Sequence, residues 1–219
     1  SFENRADTAV WDEPFYAAFL AASGVDHPMR AQVIAAYETD PDRIAAACVG
    51  PAPATAGVFY QKHMTHHMLA GFPLDWTAGV TNAFLIRRPE AVVASYQHKR
   101  ERATLDDLGV ARQRELFEEI GARTGAVPPV VDADAIRRDP EAMLTKVCAA
   151  LAIPFDPAML AWPAGPRASD GVWAAHWYDA VRRSTGFTRP PPVPELDEAG
   201  RALAEAARPA YEVLAAYAL

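Results

Sequence analysis

The segment that most constrains the fold is an apolar run, Asn82-Ala-Phe-Leu-Ile86, followed directly by Arg87-Arg88-Pro89. An unbroken apolar run is typical of a strand buried on both faces. Pro89 suits the first turn of a helix, which we predict to reach Arg102. Arg87 then leaves the end of a buried strand, where free N–H groups of the helix start favour an anion. We predict that Phe84–His98 binds a phosphate; the alternative is a strand–helix junction with a solvated arginine pair.

Strands and helices alternate along the rest of the chain. The other predicted strands are Thr8–Trp11, Val58–Tyr60 and Pro128–Val131, and the other helices are Phe15–Ala22, Met29–Thr39, Pro41–Val49, Leu105–Arg123, Pro140–Leu151 and Asp197–Ala218. The alternation predicts a three-layer α/β fold, with a mostly parallel sheet and helices on both faces. In such sheets ligands bind at the carboxyl ends of the strands. We expect a single domain over residues 1–219, with 188–196 as a Pro-rich linker to the last helix.

The composition of the chain limits the binding partners and the cellular location that we expect. The chain carries a net charge of −7, which gives no reason to expect nucleic acid binding. No apolar run reaches the length of a membrane span, and the first residues lack the pattern of a signal peptide. Cys48 and Cys148 lie in apolar, helix-like stretches and are typical of core residues in a reducing compartment. We therefore expect a cytoplasmic protein that does not bind membranes, and the oligomeric state stays open.

The order Arg87-x-Pro89, with Ser95 further along the predicted helix, resembles the 3′-phosphate segment of PAPS-dependent sulfotransferases. In that family the Arg and the Ser hold the 3′-phosphate of 3′-phosphoadenosine-5′-phosphosulfate (PAPS). The stretch Val131–Asp156 is also similar to the family's scaffold. The resemblance covers about Val58–Leu160 and implies a P-loop-type, nucleotide-binding architecture with PAPS as co-substrate.

The sequence departs from the family at the 5′-phosphosulfate loop. No Gly/Ser/Thr-rich phosphate loop, and no G-x-x-x-x-G-K-[ST] motif, occurs in it. We expect this loop and its strand to have preceded Ser1, and whether the chain is a fragment of a longer protein stays open. By itself it would then lack half of the cofactor site and its activity.

The transfer of a sulfonate group needs a base for the acceptor and positive charge on the leaving oxygens. His63 is one candidate base, because Gln61–Leu69 is similar to the family's K-T-H-L-P-x-x-L-L stretch. Glu13 is the other, because Asp12-Glu13-Pro14-Phe15-Tyr16 resembles the K-E-P-x-F-F turn of heparan-type sulfotransferases. The choice between His63 and Glu13 as the base stays open. So does the alternative that Glu13 only caps the following helix and that His63 is an ordinary histidine beside the crevice. Lys62 is the candidate for stabilising the leaving group.

Two further groups of residues lie towards the C-terminus. Val181–Phe187 is similar to the family's Arg-Lys-Gly loop, so that Arg182, Arg183 and Gly186 would close over the 3′-phosphate; a plain basic turn is the alternative. The aromatic stretch before it either lines the acceptor pocket or packs in the core; its members are Trp173, His176, Trp177 and Tyr178.

The resemblance predicts a sulfotransferase that moves a sulfonate group from PAPS to a hydroxyl or amine of a small-molecule acceptor. One alternative is a nucleotide-binding module without catalysis. The other is a metal-dependent hydrolase that uses His63 and His67, with His66 beside them. The histidine segment lacks the Glu of H-E-x-x-H, so we expect no metal site.

Overall fold

The computed structural model describes residues 1–53, 56–97, 103–192 and 195–219. In chain order its elements are β1 (Thr8–Asp12), α1 (Tyr16–Ser23), α2 (Arg30–Ala36), α3 (Pro41–Cys48), β2 (Val58–Lys62), β3 (Phe84–Ile86), α4 (Pro89–Gln97), α5 (Leu105–Leu108), α6 (Val110–Thr124), β4 (Val130–Asp132), α7 (Ala133–Arg138), α8 (Pro140–Ala150), α9 (Ala174–Trp177), α10 (Asp179–Arg183) and α11 (Glu198–Ala215). Short 3₁₀ helices cover Phe2–Asn4, Thr65–His67, Asp75–Gly79 and Pro157–Leu160. Helices alternating with parallel strands confirm the predicted α/β class.

Parts of three predictions lie outside the described residues. They are His98 at the end of the phosphate-binding segment, residues 98–102 of the helix predicted to reach Arg102, and residues 193–194 of the Pro-rich linker.

The described residues form two compact units, of which the first comprises Ser1–Gly79 and Asp156–Phe187. In this unit β1 pairs with β2 in parallel, from Thr8 opposite Val58 to Asp12 opposite Lys62. Helix α1 follows β1 and packs its apolar side chains into a buried cluster, whose members are Tyr16, Ala17, Phe19, Leu20, Val33 and Trp173. The parallel register places the carboxyl ends of β1 and β2 side by side.

The second unit comprises Val80–Phe155 and Thr188–Leu219. Here β3 pairs with β4 in parallel, from Phe84 opposite Val130 to Ile86 opposite Asp132. The long helix α11 packs against α4 and α6. The core between α4 and the last part of the chain includes Val93, Leu196 and Ala204.

Strand β3 is buried on one face only, which corrects the prediction of a strand buried on both. Phe84 and Ile86 are buried, whereas Leu85 between them is 58% exposed. Successive side chains of a strand point to opposite faces, and the described residues cover only one of these.

The single helix predicted over Leu105–Arg123 is two helices. Gly109 separates α5 from α6 with a φ of 69°, in the left-handed region that glycine adopts without steric cost. The sequence pattern also failed to indicate the short helix α7, which Asp132 caps by accepting a hydrogen bond from the amide of Ala135 at 2.7 Å.

Both cysteines are buried and unbonded to each other, as small core residues. Burial raises the pKa of the Cys48 thiol to about 12. Among the described residues, no helix is both long enough and apolar enough to cross a membrane.

Candidate active site

Charged side chains meet where β1 and β2 end. The amide of Glu13 donates a hydrogen bond to the carbonyl of Lys62 at 2.8 Å, which extends the strand pairing by one step. Glu13 then turns the chain into α1 with a φ of 49°, a left-handed conformation that is rare for residues other than glycine. Backbone conformations of this kind cost about 1–3 kcal/mol and concentrate at functional sites. The turn therefore marks this end of the strand pair as a candidate site.

The Lys62 ammonium is the centre of a compact polar cluster. It donates to Oδ1 of Asp12 at 3.2 Å, to the Tyr178 hydroxyl at 2.8 Å, and to Oε1 of Glu13 in a close ion pair. Its Nζ atom also lies 5.2 Å from the centre of the Tyr178 ring. An ammonium group has three donors, so every donor of Lys62 is engaged. We call Asp12, Glu13, Lys62 and Tyr178 the carboxylate–lysine cluster.

The two carboxylates of this cluster differ in how their oxygens are used. Asp12 is engaged through both, because Oδ1 accepts from Lys62 and Oδ2 accepts from the Tyr178 hydroxyl at 2.6 Å. Glu13 accepts from Lys62 on Oε1, and the Tyr178 hydroxyl, whose single proton is donated to Asp12, lies 3.0 Å from the same oxygen. Within the described part of the chain, Oε2 of Glu13 has no such partner. Glu13 thus has an oxygen available for another proton donor, whereas Asp12 positions Lys62 and Tyr178.

Burial and mutual charge shift the pKa values of the cluster. Burial raises the pKa of the Glu13 carboxyl, and the nearby Lys62 ammonium opposes that shift without cancelling it. Burial by itself lowers the pKa of Lys62, but the charges of Glu13 and Asp12 outweigh it and the pKa is raised. The pKa of the Tyr178 hydroxyl is raised by burial and then by the charge of Glu13. Lys62 and Tyr178 therefore stay protonated near neutral pH, and Glu13 is a stronger base than an exposed glutamate.

A cavity of about 320 Å³ opens beside this cluster within the first unit. Asp12, Lys62 and Tyr178 form one part of its wall. The rings of Phe2 and Tyr60 form another and stack with centres 4.3 Å apart. Its size suits a small organic molecule.

His63 lies among aromatic rings, apart from the carboxylate–lysine cluster. Its ring centre is 5.0 Å from that of Trp76 and 5.8 Å from that of Phe15, and Nε2 is 3.3 Å from Oε1 of Gln61. Its Nδ1 atom is buried and has no hydrogen-bond partner among the described residues. Burial lowers the pKa of His63 to about 4. Such an imidazole is a weak proton acceptor near neutral pH.

The other histidines of this segment pack as aromatic side chains. The ring of His67 stacks on Tyr16 at 4.4 Å and on Phe19 at 4.9 Å, and its pKa is lowered well below the usual value, first of all by burial. The ring of His66 meets His67 edge to face. Among the described residues, no group of three or more His, Cys, Asp or Glu is arranged to hold a metal ion.

In the second unit, the two arginines after β3 differ in their contacts. Arg88 donates through Nε to Oδ2 of Asp134 at 2.7 Å, and Asp134 is only 2% exposed. The half-buried Arg87 makes no hydrogen bond or ion pair with any described residue. Arg88 is thus committed to the fold, whereas the guanidinium of Arg87 is available for a ligand.

A family model described as "Sulfotransferase domain" matches residues 1–218. The chain belongs to this family. That match confirms the family that the motifs around Arg87 indicated, and it extends over nearly the whole chain rather than the Val58–Leu160 stretch alone.

Two Arabidopsis thaliana proteins are similar to this sulfotransferase domain. Branched-chain-amino-acid aminotransferase-like protein 2 is 34% identical over 195 residues, which are 89% of this chain and 34% of that protein. Branched-chain-amino-acid aminotransferase-like protein 1 is 36% identical over 194 residues, again 89% of this chain and 34% of that protein. The chain spans about a third of the length of these curated relatives, at 34% of each.

Two solved structures are also similar to it. One is the sulfotransferase domain from the curacin biosynthetic pathway, with a TM-score of 0.43, 13% identity and coverage of 86% of this chain and 76% of that one. The other is the sulfotransferase domain from the Synechococcus PCC 7002 olefin synthase, with a TM-score of 0.40, 20% identity and coverage of 86% and 72%.

The residues predicted to close over the 3′-phosphate of the sulfotransferase donor lie in the first unit. Arg182 is paired with Asp170, to which its Nη2 donates at 3.1 Å, and it lines the cavity beside Lys62. Arg183 is exposed. Gly186 pairs with Ala161 in an isolated antiparallel bridge. Ser95 is exposed on α4 in the second unit, with no hydrogen bond to Arg87.

The aromatic stretch before Arg182 serves two purposes. Trp173 is 2% exposed and packs in the core with Tyr16. Trp177 packs partly buried against the same cluster, and His176 meets Trp177 edge to face. Tyr178 belongs to the carboxylate–lysine cluster and lines the cavity. Core packing therefore holds for Trp173, and the role of Tyr178 in an acceptor pocket stays a prediction.

The structure adds Asp12 to the predicted site residues and gives Tyr178 a specific contact. Asp12 stands next to the candidate base Glu13 in the sequence, so its place at the strand end was the available signal. Nothing in the sequence indicated that Tyr178 reaches the end of β1, because that contact joins distant parts of the chain.

Proposed function

We propose that this chain moves a sulfonate group from PAPS to a hydroxyl or amine of a small-molecule acceptor, with Glu13 as the base. The choice of base rests on a difference between the two carboxylate oxygens of Glu13. Lys62 and Tyr178 both contact Oε1, which leaves Oε2 for the acceptor. The family match over residues 1–218 supports the reaction class.

The proton step is assigned to the first unit. Glu13 accepts the proton of the acceptor hydroxyl on Oε2, and its buried carboxyl with a raised pKa favours that transfer. PAPS, when bound, supplies the sulfonate group: a bond forms between the acceptor oxygen and sulfur as the bond from sulfur to the 5′-phosphate oxygen breaks. Lys62 holds a positive charge beside the cavity, where it stabilises negative charge on oxygen. Asp12 and Tyr178 keep the ammonium in place.

The binding site for the donor's 3′-phosphate is proposed on the second unit. The residues there fit an anionic donor, because the Arg87 guanidinium is not committed to any described carboxylate, in contrast to Arg88. Arg87 would hold the 3′-phosphate through two parallel hydrogen bonds, with the Ser95 hydroxyl as a further donor. Arg182, Arg183 and Gly186 of the first unit stay the candidates that the family resemblance gave for phosphate binding. The domain boundaries 1–219 and a cytoplasmic location are also part of this proposal.

We do not extend the aminotransferase name of the relatives to this chain, since it spans 34% of each of them. We also do not propose the metal-dependent hydrolase, because the described residues hold no ligand set for a metal.

The test is transfer of labelled sulfonate from PAPS to a panel of phenols, alcohols and amines by the full-length protein. We expect Glu13→Gln to lower kcat by at least about 100-fold, the range of one general base. His63→Gln should stay within a few fold of the wild type. Glu38→Gln is a matched control, because Glu38 is a glutamate of the same unit that contacts the Thr39 amide and the Arg43 side chain. A silent wild type, or a loss confined to His63→Gln, would contradict the proposal.

A further inference from the structure

The cavity beside the carboxylate–lysine cluster contains one arginine that has no carboxylate partner among the described residues. Three cations line this cavity, Lys62, Arg167 and Arg182. Lys62 is paired with Asp12 and Glu13, and Arg182 with Asp170.

Arg167 contacts only neutral groups through its guanidinium. Its Nη1 donates to Oδ1 of Asn4 at 3.2 Å, and its Nη2 donates to the carbonyl of Pro163 at 3.3 Å. In the described part of the chain it has no carboxylate partner. The nearest acid by sequence, Asp170, is already engaged by Arg182 and by the backbone amide of Arg167. The positive charge of Arg167 is therefore open to an anion that enters the cavity.

Three acids line the cavity, Glu3, Asp12 and Asp170, and Asp170 is paired with Arg182. Glu3 accepts from the Ser169 hydroxyl at 2.9 Å, and Asp12 is held by Lys62 and Tyr178. Among the described residues, none of the three carboxylates forms an ion pair with Arg167, so an entering anion would not have to displace one of them. The rings of Trp162, Phe2 and Tyr60 complete much of the remaining wall. The wall thus offers an aromatic surface, one uncompensated arginine and the carboxylate–lysine cluster.

We infer that the cavity binds a small aromatic or apolar molecule that carries an anionic group, a carboxylate or a phosphate, which Arg167 recognises. A guanidinium matches the oxygens of either group in pairs. The ligand's hydroxyl or amine would lie at Lys62, which contacts the proposed base Glu13 in the same cluster, while its ring would lie against Phe2 and Tyr60. A cavity volume of about 320 Å³ limits the aromatic or apolar part of the ligand to roughly one ring system. This inference rests on the proposed function, since it assigns the acceptor class of the same site.

The experiment compares two probes that differ in charge and hardly in shape, 4-hydroxyphenylacetate and 4-hydroxyphenylacetamide. Their binding to the full-length protein is measured by calorimetry without any donor, so that turnover is not needed. We expect the carboxylate to bind at least about tenfold more tightly than the amide, the worth of a hydrogen bond to a charged group. Phenyl phosphate, run in parallel, tells a carboxylate-selective site from one that prefers a phosphate.

Three variants separate recognition from folding. Arg167→Gln should bring the ratio of the two dissociation constants close to one, and Arg167→Lys should restore part of it. Arg43→Gln is the matched control, because the Arg43 side chain is 74% exposed and pairs with Glu38 and Asp40 outside the cavity. A purely structural role of Arg167 would weaken both probes alike and leave their ratio unchanged.

The inference is overturned if the wild type binds neither the anionic probes nor the amide, if it binds the amide as tightly as the anions, or if Arg167→Gln preserves the ratio. None of these results depends on PAPS. A protein that discriminates the probes but transfers no sulfonate would contradict the proposed function and support the anion-binding cavity.

Discussion

The Tyr178 hydroxyl donates a hydrogen bond to Oδ2 of Asp12 at 2.6 Å, although 166 residues separate the two in the chain. The same hydroxyl accepts from the Lys62 ammonium at 2.8 Å. Tyr178 thereby fixes the orientation of the groups that line the cavity.

Tyr178→Phe removes this hydroxyl and keeps the ring. We expect it to lower the free energy of unfolding by about 1–3 kcal/mol, because hydrogen bonds to charged groups are lost in a partly buried site. Urea denaturation measures the change. Tyr217→Phe is the control, since its hydroxyl makes no hydrogen bond with the described residues and its ring is 48% exposed. Equal stability of the two variants would contradict the role given to Tyr178.

Arg87→Ala should weaken ligand binding, whereas Arg88→Ala should lower the stability of the fold. The first should raise the Kd for adenosine 3′,5′-bisphosphate by about 10- to 150-fold, because a bond to a charged group is worth about 1.5–3 kcal/mol. The second should lower the free energy of unfolding by about 1–3 kcal/mol, because it leaves the buried Asp134 carboxylate unpaired.

Calorimetry and urea denaturation together test this pair, with Ser95→Ala as a milder change of the binding site. If Arg87→Ala binds adenosine 3′,5′-bisphosphate as tightly as the wild type does, the assignment of the 3′-phosphate to Arg87 is wrong.

Stability should depend on pH through His63. The pKa of His63 falls from 6.5 to about 4 in the folded protein because of burial. Between these values the unfolded chain binds a proton that the folded protein does not, so acidification favours unfolding. The free energy of unfolding changes by at most about 1.4 kcal/mol per pH unit for one titrating group. The lowered pKa of His67 acts in the same direction.

The check compares the wild type with His63→Gln by urea denaturation at several values between pH 7 and pH 4.5. The wild type should lose more stability over this interval than the variant, which retains only the contribution of the other groups. Parallel curves would show that His63 does not titrate as its environment implies.

Gly171→Ala should disturb the core of the first unit. A methyl group at this position would lie 2.3 Å from the ring of Trp173, which is 2% exposed and has little room to move. We expect a loss of about 1–3 kcal/mol, as for other overpacked sites. Gly71→Ala is the control, because nothing lies within 4 Å of its added methyl group, and it should change stability by less than about 0.5 kcal/mol. Thermal unfolding of both variants measures these changes in stability.

Local patterns predicted much of the secondary structure. Pro41, Pro89 and Pro140 each begin a helix in the structure, as a proline at the first helical position should. The strand ends that carry Glu13, Lys62 and Arg87 were also correctly located, because a switch from apolar to charged residues marks them. The break at Gly109 was missed, since the apolar spacing continues across it and only a left-handed glycine interrupts the helix.

The sequence by itself determined the sulfotransferase family, the α/β class and the candidates Glu13, His63 and Arg87, because these depend on motifs and on neighbours along the chain. Only the tertiary structure distinguished Arg87 from Arg88, by placing Asp134 against Arg88. It also gathered Asp12, Glu13, Lys62 and Tyr178, and it gave Arg167 no carboxylate partner within the part of the chain that the structure describes. The physical reason is that a side chain's pKa, charge balance and free hydrogen-bonding capacity depend on groups distant in sequence, which only the folded chain brings together.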